Sequence, residues 1–449
     1  MSNRLRDKTF FSKNYRTFVF LLAVLVIVAL IVDNSLTRIS DIFASNFMGG
    51  NLFAYILISV TFGVGQFLFL WFVGRRIKDV QASGRLYAIL YVVVIGIQCG
   101  LAAIIALVII QLVTTSQYSV VMLIAAITMS YSLGAGMMIM LARHFFSWFR
   151  TNKDLLMLLY GISTTTIVVH LVFSLSFVDY VLSDLAPGRT PFSGQPFFPA
   201  GSLKFVLGNI YNTTSIIAFV STWSATALLL YNYSRSLGKM RYWILVSLPL
   251  VYFLSQFPTF FLNVFDVLLK ADPLFYGTFF ILLFSISKPA GGVLFGIAFW
   301  DAARRLPHTA AVREYLIISA YGLVLLFTAD QATSLFNPSY PPFGLATVSF
   351  VGLSSYLVFN GIFYSAVDTR IRRDIRRFAK EQSKLLDSIR SAQSDKEINA
   401  KLSQIMKYHD NIAKNMPIPH VMDENEAWNY LYEVLKEKRL GKEAQDSDN

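Results

Sequence analysis

The feature that most limits what this chain can fold into is a run of ten uninterrupted apolar blocks, set apart by short segments that are charged or rich in proline. The blocks are Thr17 to Val32, Gly50 to Gly74, Leu86 to Val113, Tyr118 to Ala142, Leu155 to Val178, Val206 to Tyr231, Trp243 to Phe265, Leu274 to Trp300, Tyr315 to Leu335 and Phe343 to Ala366. A helix rises about 1.5 Å per residue, so about 20 residues cross the roughly 30 Å of hydrocarbon in a bilayer. A barrel strand needs only about ten residues and alternates apolar with polar positions, which these blocks do not. The sequence therefore predicts an all-α, polytopic membrane protein of about ten transmembrane helices. Residues 1–16 form a basic N-terminus, residues 17–366 the membrane domain and residues 367–449 a helical cytosolic tail.

Loop charge tests the count, because Lys and Arg collect on the cytoplasmic side. Arg4, Arg6, Lys8, Lys13 and Arg16 precede the first block. Every even-numbered loop is basic, for example Arg75, Arg76 and Lys78, or Arg304, Arg305 and Arg313, and Arg370, Arg372, Arg373, Arg376, Arg377 and Lys380 follow the last block. The odd-numbered loops hold only Arg38, Arg189, Lys204 and Lys270. The pattern predicts both termini in the cytoplasm, and an odd number of spans would break it.

Charged residues make up only 15% of the chain, well below the roughly 25% typical of a soluble globule. The net charge of +12 is spread over loops next to the membrane rather than gathered on one face, so it argues for topology and anionic lipid, not for nucleic acid. The single cysteine, Cys99, lies inside the third block and excludes an intrachain disulfide and a cysteine metal site. The first block runs into Val32, Asp33, Asn34 and Ser35 without a small-x-small cleavage pattern, and is read as a retained helix. Asn212, Thr213 and Thr214 match a glycosylation acceptor but fall within an apolar block, where the modification does not occur.

Few polar side chains could carry a function. Lys288 is the fifteenth residue of the block from Leu274 to Trp300, which puts its ammonium near the middle of the bilayer. A charge there costs about 2.5–3.5 kcal/mol on insertion scales and marks a functional site by default. Pro289, Gly291 and Gly292 follow, and are expected to weaken the helix where the charge sits, freeing backbone groups that must line a cavity. Asp330, near the end of the ninth block, is the natural partner, and His170 in the fifth falls at a similar depth. Lys288, Asp330 and His170 are thus expected to share one polar pocket for a ligand or ion, open to the outside. The alternative is a buried ion pair that only fixes helix arrangement. Gly292 with Gly296, and Gly96 with Gly100, have the spacing that lets helix backbones approach closely. No metal-ligand spacing, phosphate loop or nucleophile elbow is present, so no catalytic residue, metal site or cofactor is assigned.

The tail predicts three helical stretches. The tenth block continues through Ile371, Ile375, Phe378, Leu385 and Ile389. A capping box at Ser394 and Glu397 starts a second stretch, and Trp428, Leu431, Tyr432 and Leu435 mark a third. Tyr340, Pro341, Pro342, Phe343, Gly344, Leu345, Ala346, Thr347, Val348, Ser349 and Phe350, then Gly352, Leu353, Ser354, Ser355 and Tyr356, resemble a segment of multi-pass membrane proteins of ammonia-oxidising archaea, and Lys384 to Ile389 adds to the likeness. The resemblance covers about the last third of the chain. It implies an archaeal cell membrane and carries over no functional residue. Two function classes remain: the favoured one is a non-enzymatic sensor or interaction protein that couples an outward pocket to the tail and a cytosolic protein partner, and the alternative is a secondary transporter or channel with its site at the broken helix around Lys288.

Overall fold

The computed structural model describes residues 20–37, 48–78, 85–183, 201–231, 238–257, 283, 285–306, 311–335 and 341–366. Residues 1–16 and the tail after residue 366 lie outside the described residues, as do the second half of the seventh block and most of the first half of the eighth. Among the described residues there are ten helices and no strand. We label them α1 (Phe20–Thr37), α2 (Met48–Lys78), α3 (Arg85–Thr115), α4 (Val120–Asn152), α5 (Leu155–Ser183), α6 (Leu203–Tyr231), α7 (Lys239–Leu254), α8 (Ser287–Arg304), α9 (Ala311–Ala329) and α10 (Leu345–Ala366). A 3-10 turn, Ala332–Leu335, follows α9.

Eight of these helices are long and apolar enough to cross a membrane: α1 to α6, α9 taken with its 3-10 turn, and α10. The chain is a multi-pass membrane protein. At 33 residues α4 is about 50 Å long, more than the hydrocarbon needs, and its end carries Arg143 and Arg150 beyond the apolar stretch. Side-chain exposure points the same way. Phe53, Leu57, Val60, Val64, Phe67 and Trp71 form one stripe down α2 at spacings of three and four, and all are exposed. A soluble monomer rarely leaves so large an apolar face bare, whereas lipid covers it without cost.

The chain divides into two compact units. The larger holds residues 1–69 and 94–365. Within it α4 packs on α5, α5 on α6, α8 on α9, and α7 on both α6 and α8. Helix α10 is enclosed: every residue from 345 to 365 is buried. Phe350 meets the rings of Phe62 and Phe69 edge-on, and Phe343 meets Tyr55. On the α4 side, a Cβ at Gly352 would lie 2.9 Å from the Ser130 carbonyl oxygen, and the Ser130 hydroxyl sits 2.8 Å from the Val348 carbonyl and 3.1 Å from the Gly352 amide. Toward α9, Gly322 lies against the Val358 backbone and Gly361 against Tyr315 and Ser319. These glycines let backbones approach where lipid supplies no hydrophobic drive and association rests on close packing. Gly292 and Gly296 do the same between α8 and α9, where added Cβ atoms would meet Val324, Phe327 and the Ala320 carbonyl. The expected pair Gly96 and Gly100 behaves differently, since Gly100 faces Met129 while Gly96 meets open space.

A long-range cap fixes the start of α10. Asp33, fully buried in α1, accepts hydrogen bonds from the Gly344 amide (2.9 Å), the Thr347 amide (2.9 Å) and the Thr347 hydroxyl (2.7 Å). The first amides of a helix have no partner within it and form its positive end, so a carboxylate from another helix satisfies both needs. Gly344 adopts φ +88°, the left-handed region open to glycine.

The smaller unit holds residues 70–93 and 366–449. Its described part is the adjoining ends of α2 and α3, joined by a hydrogen bond from the Tyr91 hydroxyl to the Leu70 carbonyl (3.3 Å), with Gly74 leaving room for the Tyr91 ring.

Candidate functional site

Two helix ends meet at the site. The expected weak point of the eighth block was Pro289 to Gly292, but those residues are regular helix. The described helix α8 starts at Ser287, one residue before Lys288. Pro289 stands in the first turn, where its missing amide costs nothing. Gly291 is taken up by the Phe219 ring and Gly292 by α9, so both glycines serve packing at this point. The ninth block was expected to run on past Asp330. Instead α9 ends at Ala329, and Asp330 and Gln331 are non-helical before the 3-10 turn.

Lys288 therefore lies in the first turn of α8 and Asp330 directly after the last turn of α9. The Lys288 Nζ donates to the Asp330 carboxylate (3.0 Å) and to the Asp330 backbone carbonyl (2.9 Å). A cation is disfavoured at a helix N-terminus and favoured at a C-terminus. The geometry reconciles the two: the ammonium caps the carbonyl end of α9 while the Asp330 carboxylate balances charge at the head of α8.

His170, from the middle of α5, completes the group. Its Nε2 lies 3.0 Å from Asp330 Oδ2 and 3.4 Å from Lys288 Nζ, and its Nδ1 lies 3.1 Å from the Thr214 hydroxyl of α6. The shorter contact assigns the ring proton to Nε2, donated to Asp330, which leaves Nδ1 to accept from Thr214. Tyr131 of α4 reaches the other carboxylate oxygen at 3.4 Å, and the Tyr211 ring lies 5.9 Å from the ammonium and 5.1 Å from the imidazole. Lys288, Asp330 and His170 are exposed by only 6%, 6% and 2%. A lone ion at such burial costs several kcal/mol, which a paired ammonium and carboxylate with further hydrogen bonds largely recover.

The structure thus brings Lys288, Asp330 and His170 together from α8, the end of α9 and α5. Tyr131, Thr214 and Tyr211 join them without having stood out in the sequence. Thr214 lies in the triplet that matched a glycosylation acceptor, and tyrosines and threonines are common in membrane helices, so nothing marked these three. Against Gly291 of α8, the Phe219 ring stacks on Phe253 at 3.9 Å and meets Phe295 and Phe327 at 5.4 and 6.0 Å.

This arrangement can hold and redistribute protons and charge between helices. Comparison with protein-family models, with curated proteins and with solved structures gave no match to this chain.

Proposed function

We propose that this chain is a secondary transporter whose working site is the ion network of Lys288, Asp330 and His170. The observation that carries the reading is the meeting of two helix ends, the start of α8 and the end of α9, at buried, oppositely charged side chains. Transporter sites near the bilayer midplane use discontinuous helices in this way, because freed helix ends offer dipoles and backbone groups to ions. The position of Lys288 in its apolar block places the network near mid-membrane, and the loop charges orient the chain with both termini in the cytoplasm, spanning about ten times. The likeness of residues 340–356 to archaeal membrane proteins supports an archaeal cell membrane as its location.

A second reading has its own support. Helix α10 is enclosed by the bundle and precedes the tail in the sequence, so a sensor in which the site biases α10, with the tail recruiting a cytosolic partner, is the competing function.

Reconstituted protein decides between them. Substrate-induced currents are recorded on solid-supported membranes over a panel of amino acids, organic anions and inorganic ions. The double variant Lys288→Met with Asp330→Asn keeps the network neutral, and is expected to abolish currents that persist when residues after 366 are removed. A wild-type protein silent over the panel, with a soluble partner captured only when the tail is present, turns the conclusion to the sensor.

A further inference from the structure

Helices α5 and α6 meet along a line of hydroxyls that leads to His170. Ser163 pairs with Thr222 at 2.6 Å, Thr166 pairs with Ser221 at 2.6 Å, and His170 Nδ1 meets Thr214 at 3.1 Å. On α5 these positions fall at i, i+3 and i+7, one face of the helix. Beyond Ser163 the seam continues to Tyr160 and Thr226, which face each other across α5 and α6. Both are buried, and neither hydroxyl makes a hydrogen bond of normal geometry. The two hydroxyls lie close enough to interact and still leave bonding capacity unused, which a small hydrogen-bonding guest at this end of the seam would take up. Water is the smallest such guest.

The two ends of the seam differ. Past His170 the interface closes on rings, with Tyr211 5.1 Å from the imidazole and Phe177 6.0 Å from Tyr211. In the other direction it runs from His170 through Thr166 and Ser163 to Tyr160, about 15 Å of helix, toward the end of α4 with Arg150 and the α4–α5 connection with Lys153. One turn, about 6 Å, separates the His170 contact from the Thr166 pair, and Ile167 and Ala218, which fall between these positions along α5 and α6, are buried.

His170 stands between this seam and the ion pair. Its Nε2 faces Asp330 and Lys288, and its Nδ1 faces Thr214. Thr214 has a second acceptor at hand, the Tyr211 carbonyl at 3.0 Å. A proton reaching Nδ1 therefore needs one rotation: the Thr214 O–H turns to that carbonyl, and the hydroxyl oxygen accepts the new Nδ1–H. The charged and titratable groups around the imidazole are Asp330, Lys288 on α8, Tyr211 on α6 and, through Asp330, Tyr131 on α4.

We propose that the seam between α5 and α6 is a proton path that delivers to His170 Nδ1 from the side of the membrane bearing the basic loops. It deepens the transport reading by naming the proton as the coupling ion. An added proton leaves two cations facing one carboxylate, a state that favours opening of the network.

Cysteine accessibility tests the path without relying on flux. In a Cys99→Ser background, Ser163→Cys, Thr222→Cys and Thr226→Cys are made singly, with Ser176→Cys on the exposed face of α5 as the lipid-facing control. A small, membrane-impermeant methanethiosulfonate is applied to either face of sealed vesicles. The seam positions are expected to react at least tenfold faster than the control, and from the basic-loop face alone. Rates equal to the control, or reaction only from the opposite face, overturn the proposal. In addition, 15N-histidine protein, with the His170 signal assigned by its loss in His170→Gln, is followed after a pH step on the basic-loop face. The Nδ1 signal is expected to change from acceptor to N–H, at least tenfold more slowly in Ser163→Ala with Thr222→Val. Equal rates in that variant refute delivery through the seam. Labelling with a silent substrate panel leaves the path standing and removes the transport reading, and currents without labelling do the reverse.

Discussion

Replacing Asp33 by alanine is expected to destabilise the membrane domain by about 2–6 kcal/mol, and the contacts of its carboxylate set that figure. Three donors converge on it, but they do not lose equally. The Thr347 hydroxyl keeps the Leu30 carbonyl at 3.1 Å as a substitute, whereas the amides of Gly344 and Thr347 lose their acceptor. Each buried donor left without a partner costs about 1–3 kcal/mol, which gives the range for two. Asparagine retains one oxygen and turns an NH2 toward the second amide, so Asp33→Asn should fall between alanine and wild type. Unfolding in mixed micelles, followed by tryptophan fluorescence as the denaturing detergent fraction rises, reports the order, and hydrogen exchange at residues 344–347 locates it. If Asp33→Ala costs less than about 1 kcal/mol, or leaves exchange at 344–347 unchanged while the rest of the protein loosens, the cap does not hold α10 and the reasoning fails.

Three further outcomes follow. Lys288→Met or Asp330→Asn alone strands a buried charge and should cost about 3–5 kcal/mol, while the double variant recovers most of it; additive losses in the same unfolding assay would show that the two side chains do not act as a pair. Gly352→Val pushes a side chain against the Ser130 carbonyl, a backbone oxygen that cannot turn aside, and should cost about 1–3 kcal/mol with loss of the monodisperse peak in size-exclusion chromatography; an unchanged peak and stability contradict the close contact of α4 and α10. Asp301→Asn removes only the exposed pair with Arg305 at 3.1 Å and should change stability by less than about 0.5 kcal/mol, so a larger loss would mean that this pair is not the solvent-screened contact described.

Eight of the ten expected spans were legible because the bilayer demands length and apolarity, and those blocks supply both; the first helix, expected from Thr17 to Val32, is described from Phe20 and runs on to Thr37. Lys288, Asp330 and His170 stood out for a related reason, since a titratable group in an apolar block has few acceptable environments. The helix ends at the site were not legible. Pro289 breaks a helix interior yet suits a first turn, and only the Ile286 turn decides which applies. Nor could the sequence single out α10 as enclosed. In water a helix declares its buried face by periodicity, but in lipid both faces are apolar and the signal disappears. The glycines and serines of α10, among them Gly352, Ser354, Ser355 and Gly361, were the available hint. The bond from Asp33 to residues more than 300 positions away had no local signature, because any capping acid looks the same wherever its helix lies.

The enclosure of α10 bears on how the protein is made. It follows the other nine described helices in chain order, so it leaves the ribosome after them and yet must take a place already surrounded. The earlier spans have to remain parted in the membrane, or part again, until it arrives. Assembly of this bundle is therefore finished by its final described span rather than grown outward from its first, and a nascent chain halted ahead of residue 345 would hold a ring of helices around an unfilled slot.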